Sequence, residues 1–141
     1  MLKVLFLCTE NACRSQMAEG WARHLVSDRI DAYSAGTEPK GVDPRAVRAM
    51  AEAGVDISRY RSKSVHDLPD VGFDYVITLC DHAARFCPAF PGQGKRLGWS
   101  FDDPAVVVGT IEERLVVFRR VRDEIRKAIE EFLKSEAAES T

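Results

Sequence analysis

The opening of the chain constrains the fold more than any other stretch. Leu2, Val4, Leu5, Phe6 and Leu7 form an apolar run that breaks directly into Cys8-Thr9-Glu10-Asn11-Ala12-Cys13-Arg14-Ser15. Beyond it Met17, Ala18, Trp21, Ala22 and Leu25 recur at helical spacing, which predicts a helix over 15–26. A strand that is apolar on both faces belongs inside a parallel sheet covered on two sides. The run is short and no small-residue cleavage site follows it, so it reads as a buried strand over 3–7 rather than a secretory leader.

Later segments repeat the unit. Ala32 to Ala35 reads as a second strand closed by Gly36. Asp43-Pro44 opens a second helix, because an Asp side chain caps well and proline suits the first helical position; Gly54 ends it. Phe73 to Leu79 reads as a third buried strand ending at Cys80, and Lys95 to Trp99 as a fourth. Leu115, Phe118, Val121, Ile125, Ile129 and Phe132 mark a long amphipathic helix from about Glu112, while the polar Ser135 to Thr141 is expected to fray. Strands alternating with helices predict an α/β three-layer sandwich, a four-stranded parallel sheet flanked by helices, in a single domain over 1–141. Such sheets bind ligands beyond the carboxyl ends of their strands, which predicts Cys8 and Cys80 on one edge.

Composition narrows the chemistry. The 20 Lys and Arg against 22 Asp and Glu leave a net charge of −2, no basic excess for nucleic acid. No stretch approaches the ~18 apolar residues of a membrane span. A cytoplasmic protein is expected, where stable disulfides are rare and cysteines are more often catalytic or metal-binding. Cys8, Cys13, Cys80 and Cys87 lack zinc-site spacing, and His24, His66 and His82 are scattered, so no metal and no cofactor are expected.

The glycine-free loop after the first strand then reads as an anion site. Backbone N–H groups of Thr9, Glu10, Asn11, Ala12, Cys13, Arg14 and Ser15 curling ahead of a helix form a nest, and the helix N-terminus adds positive charge. Arg14 brings a planar fork for two oxygens of a phosphate or arsenate. The same field favours a thiolate, and hence a nucleophile, at Cys8, and Ser15 can donate its hydroxyl to that sulfur. Asn11 is the loop residue best suited to a left-handed backbone. Cys13 reads as a packing residue. If 80–87 were a regular helix, its two cysteine Cα atoms would lie roughly 10.5 Å apart, against the about 7 Å a disulfide tolerates, so that pair bonds only if the segment unwinds.

The segment Cys8 to Glu19, CTENACRSQMAE, resembles the active-site loop of the thioredoxin-coupled arsenate reductases, which share the low-molecular-weight tyrosine phosphatase fold. The likeness extends through Ser34 to Thr37, Val76 to Asp81, Cys87 to Pro91, Trp99 to Pro104 and Phe118 to Ile125. It implies that Cys8 attacks arsenate, that Arg14 and Ser15 hold the anion, and that Asp103, with Asp102 as the rival, protonates the leaving oxygen. It further implies that Cys80 attacks the Cys8–arsenic adduct, that Cys87 then attacks Cys80, and that thioredoxin reduces the Cys80–Cys87 disulfide. Phosphate and sulfate are expected competitors, and a monomer is expected. Related reductases use glutathione and glutaredoxin, or mycothiol, so the donor stays open at this point. Some reductases of this fold bind potassium near the loop, and Asn11, Glu19 and Ser34 resemble those ligands. Glu10 stands where many relatives have glycine, and it must point outward to spare a bound dianion.

The same loop serves two rivals. A low-molecular-weight phosphatase acting through a phosphocysteine needs only Cys8, Arg14 and the acid. Typical members have proline after Arg-Ser and tyrosines after Asp-Pro, where this chain has Gln16-Met17 and Ala105-Val106-Val107. A non-enzymatic oxyanion or phosphocysteine carrier would not need a positioned acid.

Overall fold

The structure, a computed structural model, describes residues 1–69, 71–80, 83 and 94–139, without the side chains of 137–139. Four parallel strands form one sheet: β1 (Leu2–Cys8), β2 (Ile30–Gly36), β3 (Tyr75–Thr78) and β4 (Lys95–Gly98), in the order β2-β1-β3-β4. Among the described residues the longer helices are α1 (Arg14–Val26), α2 (Pro44–Glu52) and α3 (Ile111–Glu139). The register sets Cys8 beside Gly36, Leu7 beside Thr78, and Thr78 beside Gly98. The carboxyl ends of all four strands therefore share one edge, with Cys8 and Cys80 on it.

Central β1 is buried on both faces, as its composition requires. Val4 and Phe6 join the larger core with Ile77 of β3 and with Trp21, Met50, Phe118 and Ile125 from the helices. Leu5 and Leu7 face the other way, onto Phe73, Val76 and Ala83. Each such side chain withdrawn from water stabilises by about 1.5–3 kcal/mol, which holds β1 and the loop it launches in place. Among the described residues the layer over that second face is a 3₁₀ turn (Val65–Asp67) and its flanks, with Val65, Leu68 and Val71 packed inward. Ser64 and Asp67 close a reciprocal capping box on the turn.

The caps follow the sequence. Asp43 accepts from the Arg45 N–H at 2.9 Å, with Pro44 in the first position of α2. Gly54 follows that helix at φ 84°, its N–H on the Ala51 carbonyl. One expectation fails: α3 does not fray at Ser135 but continues to Glu139. Leu133 is buried, the Tyr75 hydroxyl donates to Glu136, and Ala137 and Ala138 are strong helix formers, which together carry the last turns.

Candidate active site

The loop between β1 and α1 takes its shape from what holds its carbonyls. Thr9 O accepts from the Glu38 N–H at 2.7 Å, Glu10 O from the Lys40 N–H at 3.1 Å, and Ala12 O from the Asp43 N–H at 3.0 Å. Asn11 O accepts from Ser62 Oγ at 2.6 Å and Gln16 Nε2 at 3.0 Å. A planar peptide whose carbonyl is bound on one side turns its N–H to the other. The N–H groups of Glu10, Asn11, Ala12 and Cys13 thus face away from the anchors, which is how an anion-binding nest is built.

The turn itself is made by Asn11, at φ 51° the one non-glycine residue with positive φ among the described residues. That conformation strains a residue with a Cβ, and Asn11 is held there by its side chain. Buried Nδ2 donates to Ser15 Oγ at 2.8 Å, while Oδ1 accepts from Gln16 Nε2 at 2.9 Å and the Lys63 N–H at 2.8 Å. Gly36 makes room: a Cβ there would sit 2.6 Å from Thr9 O and 2.8 Å from Asn11 N. Gln16, Gly36, Glu38, Ser62 and Lys63 are therefore part of the site's construction, and none of them was singled out for that role by the sequence. Only the absence of glycine from the loop pointed that way, since a strained Asn needs outside support.

A cavity of about 230 Å³ opens over the loop, bounded also by Glu38, Asp103 and Ala105. Arg14 donates from Nη1 to Phe101 O at 3.0 Å and holds Nη2 3.6 Å from Asp103 Oδ2. Its Nε is buried without a protein partner, a donor that an oxyanion can satisfy. Burial opposes the Arg14 charge, but Cys8, Asp103, Cys80 and Cys13 around it outweigh burial and raise its pKa. Asp103 is fixed by the Ala105 N–H on Oδ1 at 3.0 Å. Its rival Asp102 turns outward to Arg120 at 3.0 Å, its side chain 73% exposed against 34% for Asp103.

Cys8 is 3% exposed, and both it and Cys80 are free thiols on the same sheet edge. Cys80 Sγ also lies 3.3 Å from Thr9 Oγ1 and accepts from the Ala83 N–H at 3.4 Å. The hydrogen bond from Cys8, then those from Thr9 and Ala83 together with the Arg14 charge, bring Cys80 down to about 5. Cys8 is pushed up from the ordinary thiol range by the same Cys80 contact and by burial. With Cys8 raised and Cys80 lowered by the same contact, the pair favours one shared proton, on Cys8, and a thiolate at Cys80. Cys13 is different: burial and a hydrogen bond to Asp43 push its thiol up, and Arg45 grips Asp43 at 2.7 Å. Cys87 and the Cys87-to-Pro91 motif lie outside the described residues.

Glu10 meets Lys40 at 3.5 Å and is 43% exposed, so it turns toward solvent while still bordering the cavity. Asn11, Glu19 and Ser34 do cluster under the loop, yet their oxygens are engaged within the chain. Ser34 Oγ donates to Glu19 Oε1 at 2.6 Å, Arg23 Nε holds Glu19 Oε2 at 2.9 Å, and the Lys63 ammonium sits 3.8 Å from Glu19 Oε1. A monovalent cation does not fit without displacing that ammonium, which also donates to Arg61 O at 2.9 Å. Among the described residues no group of His, Cys, Asp or Glu is placed to hold a metal ion, and no helix is long and apolar enough to cross a membrane.

Comparison with known proteins agrees with this geometry. The sequence model of low molecular weight phosphotyrosine protein phosphatases matches residues 3–140. The arsenate reductase of Halalkalibacterium halodurans is 54% identical over 129 residues, covering 92% of this chain and 93% of that protein. A solved arsenate reductase in its phosphate binding state superposes with a TM-score of 0.82 at 35% identity, over 96% of this chain and 98% of that one. The thioredoxin-dependent arsenate reductase of Corynebacterium glutamicum superposes with a TM-score of 0.68 at 29% identity, over 96% of this chain and 63% of that one.

Proposed function

The chain belongs to the low molecular weight phosphotyrosine protein phosphatase family, among its arsenate reductases, and from that premise we propose how its own residues reduce arsenate to arsenite. The observation that carries the reading is a second free thiol, Cys80, hydrogen-bonded to Thr9 Oγ1 of the oxyanion loop and set on the same sheet edge as the free thiol of Cys8. A phosphatase has no use for the second thiol.

Arsenate enters the cavity and is held by the loop N–H groups and Arg14. Cys8 passes its proton to Cys80, already in hydrogen-bond reach, and attacks arsenic, while Asp103 protonates the departing oxygen so that water leaves. Cys80 is less buried than Cys8 and loses that proton to solvent, because its thiolate is the favoured form. Its thiolate attacks Cys8 Sγ, the sulfur–arsenic bond breaks, and the bonding pair stays on arsenic, which leaves as arsenite. The Cys8–Cys80 disulfide then exchanges with Cys87, and the Cys80–Cys87 disulfide is reduced by thioredoxin. That last bond needs the two cysteine Cα atoms within about 7 Å, closer than a regular helix over 80–87 would hold them. Every thiol of the relay belongs to one chain, so a monomer suffices, and thiols kept reduced fit the cytoplasm.

Single-turnover assays test the scheme. Without donor, the reduced protein releases one arsenite per chain; Cys87→Ser still releases the first but fails to cycle with thioredoxin, and Cys80→Ser releases none. Equal cycling by wild type and Cys87→Ser overturns the relay.

A further inference from the structure

The cavity that takes arsenate carries a charge its chemistry does not require. Glu38 borders it, exposed, beside the ion-paired Glu10, and Ala105, which follows Asp103-Pro104, lines it too. Glu10 is compensated by Lys40 at 3.5 Å, but no ion pair reaches the Glu38 carboxylate among the described residues. Nor can Glu38 drift from the rim: its own N–H is bonded to Thr9 O at 2.7 Å, and the Lys40 N–H to Glu10 O at 3.1 Å. Gly36 allows that close approach of the segment to the loop. The backbone that carries the rim carboxylate is thus tied to the loop that holds the anion.

We propose that Glu38 is a specificity-determining residue, which disfavours phosphate esters at the site relative to compact inorganic oxyanions. An inorganic oxyanion fills the nest and leaves the rim hydrated. An ester seats the same phosphoryl group, but its organic part must pass the rim and strip water from a carboxylate that then has no partner. An aryl ring adds its own negative face to that penalty. Simple charge repulsion does not discriminate, because it acts on both kinds of anion, on the order of threefold for one exposed charge at this range. Desolvation does discriminate, since only the ester covers Glu38. Here the family's phosphatase chemistry, latent in Cys8, Arg14 and Asp103, is held back at the mouth.

The inference rests on the arsenate-reducing reading above, and the two are separable in one experiment. Wild-type turnover of arsenate with thioredoxin tests that reading by itself. For the inference, kcat/KM is measured for p-nitrophenyl phosphate and for arsenate with wild type, Glu38→Ala and Glu38→Gln. Glu38→Ala is expected to raise the ester value about tenfold, the size of one carboxylate desolvation, and to change the arsenate value by about threefold or less. Glu38→Gln falls between, because an amide is cheaper to strip of water. Equal changes for both substrates, or no gain for the ester with either variant, overturn the proposal.

Discussion

Two parts of the active site are built in opposite ways. The oxyanion loop is fastened from every side: four carbonyls tied outward, a strained Asn11 held by its whole side chain, and Gly36 pressed against it. Cys80, at the end of β3, is held by three contacts to sulfur, which are weak hydrogen bonds, and is only half buried. Capture of an anion rewards donors that do not move, whereas electron transfer needs a sulfur that can leave one partner for another. The difference fits the division of tasks proposed for the two halves of the site.

The sharpest way to break this contrast is to cut each side once. Asn11→Ala leaves Gln16, Ser15 and the Lys63 N–H without their partner, and is expected to cost on the order of 3 kcal/mol in denaturant unfolding. It should also weaken arsenate capture strongly. Cys80→Ser keeps shape and polarity and is expected to shift stability by less than ~1 kcal/mol, yet to abolish arsenite release while phosphoester hydrolysis by Cys8 survives. Similar losses of stability from the two variants would erase the distinction.

A smaller effect separates the two sulfurs by pH. The folded pKa of Cys80 lies below that of an ordinary thiol, so its thiolate persists until pH falls through about 5, while the stability it contributes declines progressively from the ordinary thiol range down to about 5. Cys8 runs the other way: its raised pKa favours the neutral thiol, and that contribution fades only at high pH. Thiolate ultraviolet absorbance should show one thiolate from the pair at neutral pH, disappearing toward 5. A midpoint in the ordinary thiol range contradicts the shared-proton picture. Thr9→Val, which removes one of the three contacts, should move the midpoint upward.

The smallest expected effect is none. Because the Lys63 ammonium and Arg23 already flank Glu19, exchanging potassium for tetramethylammonium should leave both melting temperature and arsenate kcat/KM unchanged. A rise in either with potassium would place a cation where the structure has a side chain.

How much of this the sequence disclosed divides along the same line. Strand β1, the helices and the left-handed Asn11 were readable, because burial on two faces, helical periodicity and a glycine-free turn are local signals. So was the meeting of Cys8 and Cys80, since parallel strands present their carboxyl ends together. The anchors at Glu38, Lys40, Asp43 and Ser62 were not. They act through backbone groups or a single hydroxyl, which any residue or many residues could supply, so their identity leaves no pattern. Lys63 was hidden for another reason: its meaning depends on Glu19 and Ser34, which the fold alone brings beside it. The helix past Ser135 escaped because a polar run gives no period, and Tyr75 supplies the tether from a distant strand.

The central claim is that the loop captures and the distant thiols reduce. It is tested most directly by incubating the reduced protein with arsenate, without any donor, and mapping disulfides by mass spectrometry. The account predicts a Cys80–Cys87 bond in the wild type and none in Cys8→Ser. Thiols left unchanged by arsenate, in a protein that hydrolyses phosphoesters briskly, would contradict it.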